Sequence, residues 1–306
     1  MELSIITVTW SSEKKIVEQI KSVAEACKSV AGVEDVENVL AVEFEQIVVD
    51  NASTDQTAAL IKKNFPDVKL IENRENVGFG AANNQGVKIS RGEFILFLNP
   101  DMRLDPGSML KMLAWMRKKK DVGIASCKLV DAEGKFNLEA GPRRFPKVWE
   151  QVCLLLKLQH IFPILLNNYL MKDFNSDLEQ EVDSVRGSLM LVRRELVEKL
   201  GWGFDPRYFI WFEDVDLCRE AKRSGFKVVY TPIISGVDYF GQSFKQRDSV
   251  WKQKVFSRSM LTYFQKWEPW WRWIWIWLAR PCGLLIVKFL NEFSLKVPSP
   301  RRRGTG

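Results

Sequence analysis

Five consecutive apolar residues, Phe94-Ile95-Leu96-Phe97-Leu98, run directly into Asn99-Pro100-Asp101. Such a run is too short for a membrane span and reads as a strand buried on both faces. It breaks at Pro100, which has no N–H to give to a sheet ladder. Asp101 then stands where the strand's carboxyl end meets solvent, the edge at which open α/β sheets take ligands. A carboxylate there can hold a hard divalent cation, and through it a diphosphate. The same residue can instead cap a helix starting near Asp105-Pro106, and Asp101 alone does not separate the two.

Similar strands precede it. Leu3 to Thr9 is a β-branched run, followed by polar Ser11-Ser12 and an amphipathic stretch to about Val30. Phe44 to Val49 is the second strand, ending in Asp50-Asn51-Ala52-Ser53-Thr54-Asp55. Helix capping explains the later part of that polar run but not Asp50, which can accept the ring N–H of a pyrimidine base. Val68 to Ile71 is a third strand, followed by Asn76-Val77-Gly78-Phe79-Gly80-Ala81-Ala82-Asn83-Asn84. This is the start of G-x-G-x-x-G with Asn83 at the third glycine. Glycines let backbone approach a ligand, and a helix start offers N–H groups to it. A dinucleotide site would occupy the first strand–helix turn, here Thr9-Trp10-Ser11-Ser12 without glycine, so a NAD-type dehydrogenase is the lesser reading. The alternation βαβαβ implies parallel pairing. Val122 to Val130 adds a strand and Asp131 to Lys135 a turn. The fold class is α/β, a single Rossmann-like, open, mostly parallel sheet with flanking helices.

The chain of 306 residues, 46% hydrophobic, can hold one large domain and an appendage. No charged-then-apolar leader precedes Leu3, so no secretory signal is expected. Five scattered cysteines without a C-x-x-C pair point to a reducing compartment rather than disulfides or zinc. With His160 the single histidine, histidine-built triads and metal sites are not expected. The net charge of +7 is uneven: from Ser243 onward there are thirteen Lys or Arg against three Asp or Glu. Seven of the twelve tryptophans also lie between Trp251 and Trp277. A basic, Trp-rich tail suits an anionic membrane surface and not nucleic acid.

Residues 143–175 form an apolar insertion with basic flanks, either a small helical core element or a surface touching lipid or a lipid-borne acceptor. Val182 to Val192 reads as a strand interrupted at Gly187, where a ligand approaches closely. Tyr208-Phe209-Ile210-Trp211-Phe212 then leads into Glu213-Asp214-Val215-Asp216 and an amphipathic helix to about Gly225. Helix-dipole preference explains one or two of these acids. Aromatic walls beside a carboxylate fit sugar recognition and proton abstraction, and burial raises such an acid's pKa toward that of a useful base.

Together these segments resemble glycosyltransferase family 2, with its GT-A fold and inverting mechanism. The resemblance spans about Leu3 to Gln246 and rests on V-D-N-A-S-T-D (Val49–Asp55), N-V-G-F-G-A-A-N-N (Asn76–Asn84), L-N-P-D (Leu98–Asp101), R-G-S-L-M-L-V-R-R (Arg186–Arg194) and F-E-D-V-D-L (Phe212–Leu217). Within the family it looks most like the rhamnosyltransferase-like branch, which acts on polysaccharide or lipid-linked acceptors. The resemblance implies a donor site of Thr7, Asp50, Asn51, Ser53, Asn76, Gly78, Gly80, Asn84, Asn99 and Gly187. Asp50 would hold the base of a nucleoside-diphosphate sugar. Asp101 would ligate Mg²⁺ or Mn²⁺, with Asp238 in place of the branch's usual histidine. Asp214 would be the catalytic base, with Glu213 and Asp216 orienting the loop or acceptor, and Trp211 a stacking platform. Lys245 or Arg247 could close over the phosphates. Two departures stand: Asn99 replaces the first acid of D-x-D, and Asp238 replaces histidine, so a non-catalytic binding protein is a further alternative.

The expected organisation is a glycosyltransferase domain over 1–245, with a nucleotide-sugar half (1–105) and an acceptor half (106–245). A membrane-associating tail covers 246–306. Trp267 to Leu290 approaches the length of a span, but Arg272, Arg280, Pro281 and Lys288 interrupt it. A helix lying in the interface is expected rather than one packed on the body, with Arg301-Arg302-Arg303 adding attraction to anionic lipid. That places the protein peripherally on the cytoplasmic face of the membrane.

Overall fold

The computed structural model describes residues 1–29, 41–239 and 248–296. The chain forms two compact units, Met1–Phe145 with Asn167–Gln246, and Pro146–Leu166 with Arg247–Gly306.

In the first unit, β1 (Leu3–Thr9), β2 (Phe44–Asp50), β3 (Lys69–Glu72) and β4 (Phe94–Leu98) are parallel in the order β3-β2-β1-β4. They are joined through α1 (Ile16–Ala26), α2 (Thr57–Asn64) and α3 (Phe79–Ile89). All residues of β1 and β4 are buried. Their side chains alternate between layers: Phe94, Leu96 and Leu98 join Leu3 and Ile5 in one cluster, Ile95 and Phe97 join Ile6 in the other. Helices on both faces of a parallel sheet require that pattern.

The sheet continues through β8 (Leu189–Arg193), antiparallel to β4, and β6 (Val122–Val130), antiparallel to β8. Next comes β9 (Lys227–Asp238), parallel to β6, with β5 (Met102–Leu104) and the two-residue β7 (Gln180–Glu181) antiparallel to β9. Thus β1, β2, β3, β4, β6 and β9 run one way and β5, β7 and β8 the other. The carboxyl ends of β1, β2, β4 and β9 and the amino end of β8 therefore share one edge. Packing on this sheet are α4 (Ser108–Lys118), α6 (Arg194–Leu200) and α7 (Glu213–Arg223).

Two details shape that edge. Cys127 pairs with Thr231 but Lys128 with Ser235, so β9 bulges around Pro232, which has no N–H for the ladder. Beyond the bulge Gly236–Asp238 take β5 as partner, with Met102 opposite Asp238. The expected strand over Val182 to Val192 is shorter in the structure. It starts at Leu189, because the N–H of Gly187 is directed to a carboxylate instead of a neighbouring strand.

The second unit gathers α5 (Val148–Leu155), two 3₁₀ turns (Leu158–His160 and Pro163–Leu166), α8 (Ser249–Trp267) and α9 (Trp270–Lys296). Pro146–Leu166, expected as part of an insertion in the acceptor half, thus folds with the tail. Ser249 Oγ donates to Asn291 Oδ1 (2.7 Å) and Arg280 Nε meets Ser257 Oγ (3.5 Å), a register that sets α8 and α9 antiparallel. A Cβ on Gly283 would lie 2.7 Å from the Leu155 carbonyl oxygen, so α9 crosses α5 at backbone distance.

Candidate functional site

The parallel strands bring two polar turns together. Thr9 stands opposite Asp50 in register. The buried Asp50 carboxylate accepts the Ser53 hydroxyl and, at 3.2 Å, the Ser53 N–H. Ser53 Oγ in turn accepts the Ser11 N–H (2.8 Å), and Asp55 Oδ2 accepts the Glu13 N–H (3.1 Å). Burial pushes the Asp50 carboxyl above the usual range, against the pull of both Ser53 bonds, and the charges of Asp55 and Glu72 push the same way. Thr7, two residues inside the sheet, accepts Gln19 Nε2 at 3.0 Å.

Asn51 ties this corner to the next loop. Its Nδ2 donates to Asn76 Oδ1 (3.0 Å) and the Gly78 carbonyl (3.3 Å), and its Oδ1 accepts Asn73 Nδ2 (3.1 Å) and the Val77 N–H (3.0 Å). Asn76 Oδ1 also accepts the Gly78 N–H (3.0 Å). Gly78 has φ +92°, and a Cβ there would sit 2.6 Å from the Phe209 carbonyl oxygen; one on Gly80 would sit 3.3 Å from that of Tyr208. The Phe79 N–H donates to the same Phe209 oxygen at 2.7 Å. Close approach at these glycines is therefore to the 204–209 segment. Asn84 serves the same segment: Oδ1 accepts the N–H groups of Gly203 and Phe204 (both 2.9 Å) and Nδ2 donates to the Phe204 carbonyl (2.6 Å).

That segment delivers the acids. Trp211 and Phe212 both have left-handed backbone, φ +68° and +70°, a strained arrangement for side chains of that size. It is held by the Phe79–Phe209 bond and by buried Tyr208, whose hydroxyl donates to Asp216 Oδ1 at 3.2 Å. Of the three acids, Glu213 and Asp216 are buried and Asp214 is half-buried. Asp214 Oδ2 accepts the Gly187 N–H (3.1 Å) and Oδ1 its neighbour Val215 N–H (2.8 Å). Among the described residues Glu213 Oε2 has no hydrogen-bond partner. Burial, then the Asp214 charge, lifts its carboxyl well above the ordinary range, and the Arg186 guanidinium opposes the rise. Buried Arg143, donating to the carbonyls of Leu138, Glu139, Gly141 and Pro142, is brought down to about 10 by burial and by the charge of Arg186.

L-N-P-D lies against R-G-S: the Asn99 N–H donates to the Ser188 carbonyl at 2.9 Å. The alternative role of Asp101 as a helix cap does not hold, since β5 follows it and Gly107 is the N-cap of α4. Asp101 and Asp238, both buried, are adjacent through the Met102–Asp238 pairing and a Tyr239 N–H to Asp101 carbonyl bond of 3.1 Å. Among the described residues no three His, Cys, Asp or Glu form a complete metal cage. Two carboxylates suit a hard cation that takes its remaining oxygens from a diphosphate.

Asp50, Ser53, Asn76, Asn99, Asp101, Gly187, Asp214 and Asp238 thus lie along one sheet edge, with Trp211 half-buried beside them. Lys245 and Arg247 lie outside the described residues. The sequence pattern marks Gly187 but not its neighbour Arg186, whose charge acts on Glu213 and Arg143. It also missed Tyr239, whose ring lies under Lys15 Nζ (3.5 Å) and whose hydroxyl donates to Glu18 Oε1 (2.9 Å). An aromatic residue directly after a candidate ligand was the available signal.

Comparison with known proteins gives the family and the fold. An N-acetylglucosaminyl-diphospho-decaprenol L-rhamnosyltransferase of Mycobacterium tuberculosis (strain ATCC 25618 / H37Rv) is 27% identical over 203 residues, 61% of this chain and 63% of that protein. The rhamnosyltransferase WbbL of Escherichia coli (strain K12) is 27% identical over 169 residues, 53% of this chain and 61% of that protein. The matched region is less than two thirds of either relative's length. Staphylococcus aureus TarS 1-349 in complex with UDP-GlcNAc superposes with TM-score 0.54 at 19% identity, covering 86% of this chain and 65% of TarS. The mannosyltransferase PcManGT of Pyrobaculum calidifontis, in complex with GDP-Man and Mn²⁺, gives 0.56 at 17%, covering 98% and 76%. At these identities the likeness is one of fold, the expected GT-A arrangement. The glycosyl transferase family 2 pattern matches residues 4–201, which displaces the dehydrogenase alternative, and the chain belongs to glycosyl transferase family 2.

Proposed function

We propose that the chain is an inverting glycosyltransferase. It moves a sugar of the rhamnose type from a nucleoside-diphosphate donor to a hydroxyl of a glycan or polyprenyl-linked acceptor, working peripherally on the cytoplasmic face of a membrane. One observation carries the reading: Asp214 alone of the three clustered acids is only half-buried, and a backbone N–H from the opposite loop fixes the direction of its carboxylate. The rhamnosyl detail is supported by the names of both bacterial relatives, and the lipid-linked one by that of the Mycobacterium tuberculosis enzyme.

Asp50 accepts the ring N–H of the donor's base, with Ser53 holding its carboxylate in place. Asn51 and Asn76 shape the loop beside the ribose, while Gly78, Gly80 and Asn84 hold the aromatic segment against it. Asp214 takes the proton from the acceptor hydroxyl as that oxygen attacks the anomeric carbon. The bond to the diphosphate breaks on the opposite face, so the anomeric configuration inverts. Asp216 positions the loop through Tyr208, Glu213 starts the helix that carries the base, and Trp211 offers a face to the acceptor sugar. Asp101 and Asp238 would hold Mg²⁺ or Mn²⁺, which when bound supplies Lewis-acid neutralisation of the departing diphosphate. Lys245 and Arg247 are assigned to the phosphates on charge and sequence position.

The test is a thermal-shift panel of nucleoside diphosphates and nucleotide sugars, with and without Mn²⁺, followed by a transfer assay with the donor that binds. Nucleotide binding without sugar release or transfer would favour the non-catalytic alternative.

A further inference from the structure

We infer that Pro146–Leu166 and the α8–α9 hairpin form one docking unit for an anionic bilayer surface, with α9 lying in the headgroup plane and the 161–164 turn as a second apolar prong. The inference deepens the peripheral placement proposed above and rests on it.

The unit carries most of the exposed apolar side chains of the described residues. Twelve of the eighteen exposed large hydrophobic residues of the described chain belong to it, including Ile161 (68% exposed), Ile164 (74%), Trp270 (65%) and Trp275 (60%). Leu155, Tyr263, Phe264 and Ile276 already fill its interior, so these exposed residues exceed what its own core takes up. Water-soluble surfaces seldom show apolar area on that scale without a partner. Charge names the partner. The unit has fourteen Lys or Arg against four Asp or Glu, which suits anionic headgroups.

Orientation follows from the hairpin register. By length and composition Trp270–Glu292, with mean hydropathy 1.5, is able to cross a membrane. Yet α8 is bonded along it at Ser249–Asn291 and Ser257–Arg280. A spanning α9 would draw Lys252, Lys254, Arg258 and Lys266 of α8 into hydrocarbon. The α5 backbone, pinned at Gly283, would be drawn in as well. Lying flat, α9 places its tryptophans at headgroup depth, where indoles partition. It is anchored to the rest of the unit by a narrow stripe of Ile276, Ala279, Gly283 and Val287.

The experiment is co-sedimentation of the full chain with phosphatidylcholine vesicles and with vesicles that also contain phosphatidylglycerol. Expected is binding to the anionic vesicles, weakened by added salt and released by alkaline carbonate. Replacing Ile161, Phe162 and Ile164 together by Ser should lower the partition coefficient by at least about tenfold with an unchanged melting temperature. Replacing Trp275 and Trp277 by Ser should do the same. Retention after carbonate would make α9 a span and overturn the in-plane arrangement. Wild-type partition by the 161/162/164 variant would overturn the second prong. No vesicle binding, with a dimer by light scattering, would assign the face to a second copy of the chain. Donor binding measured in lipid-free solution is read separately, so a chain that binds donor but not vesicles refutes this inference alone.

Discussion

Gly187 donates its backbone N–H to Oδ2 of Asp214 at 3.1 Å, across twenty-seven residues of chain. The donor immediately precedes Ser188, whose carbonyl accepts the Asn99 N–H. A single short loop therefore touches both the acid assigned to proton abstraction and the segment that carries Asp101. A Cβ at position 187 would stand 3.5 Å from Asp214 Cβ, an ordinary contact. The glycine is used for its N–H and its position more than for empty space.

Asp214→Asn keeps the shape of the side chain and an oxygen for the Gly187 N–H. Donor binding by calorimetry should stay near wild type while turnover falls by roughly 10²–10⁴-fold, the usual worth of a positioned base. Turnover close to wild type would remove Asp214 from that role. Gly187→Ala, which keeps the N–H, should leave turnover within a few fold.

Asp101 and Asp238 are both buried, and their backbones are neighbours through the Met102–Asp238 pairing. If they hold the cation, Asp101→Ala and Asp238→Ala should each abolish the Mn²⁺-dependent part of nucleoside-diphosphate affinity, leaving the EDTA value unchanged. Two mutants that keep a full Mn²⁺ increment would dismiss the pair as ligands.

Glu213 gives a pH signature. In the folded state its carboxyl titrates well above the ordinary glutamate range, chiefly through burial and then the Asp214 charge. The folded state thus binds the proton more tightly than the unfolded chain. Stability must fall as pH rises from about 4.5 toward the folded value, and it is the acid side that benefits. Glu213→Gln should flatten that part of the curve and raise the melting temperature at pH 7, with the gain fading below about pH 4.5. A wild-type slope in the variant would locate the titration elsewhere.

How far such a site can be read from sequence depends on what a residue's type declares. Asp50 and Asp101 were legible because each ends a buried strand, where a carboxylate has no packing purpose. The adjacency of Asp101 and Asp238 was not: it needs the Pro232 bulge to carry the end of β9 around to β5. Gly78 and Gly80 announced a close approach but not the approaching group, which is the carbonyl backbone of Tyr208 and Phe209 rather than a ligand alone. Pro146–Leu166 looked like an insertion because nothing local records that its apolar face meets helices a hundred residues later.

Asn84 separates scaffold from ligand contact most directly. Its amide satisfies the N–H groups of Gly203 and Phe204 and the Phe204 carbonyl, and Phe204 is wholly buried. Removing it leaves buried backbone donors unpaired, at a cost of about 1–3 kcal/mol. Asn84→Ala should therefore lower the unfolding free energy by that order in urea titrations while donor affinity, measured well below the transition, stays within a few fold. Gly78→Ala should cost a comparable amount, because its φ of +92° and the Phe209 oxygen 2.6 Å from the new Cβ both resist a side chain. It should also cut turnover, since the displaced carbonyl belongs to the loop that aims Asp214. The opposite outcome for Asn84→Ala, unchanged stability with lost donor affinity, would return that side chain to the donor contact first expected of it.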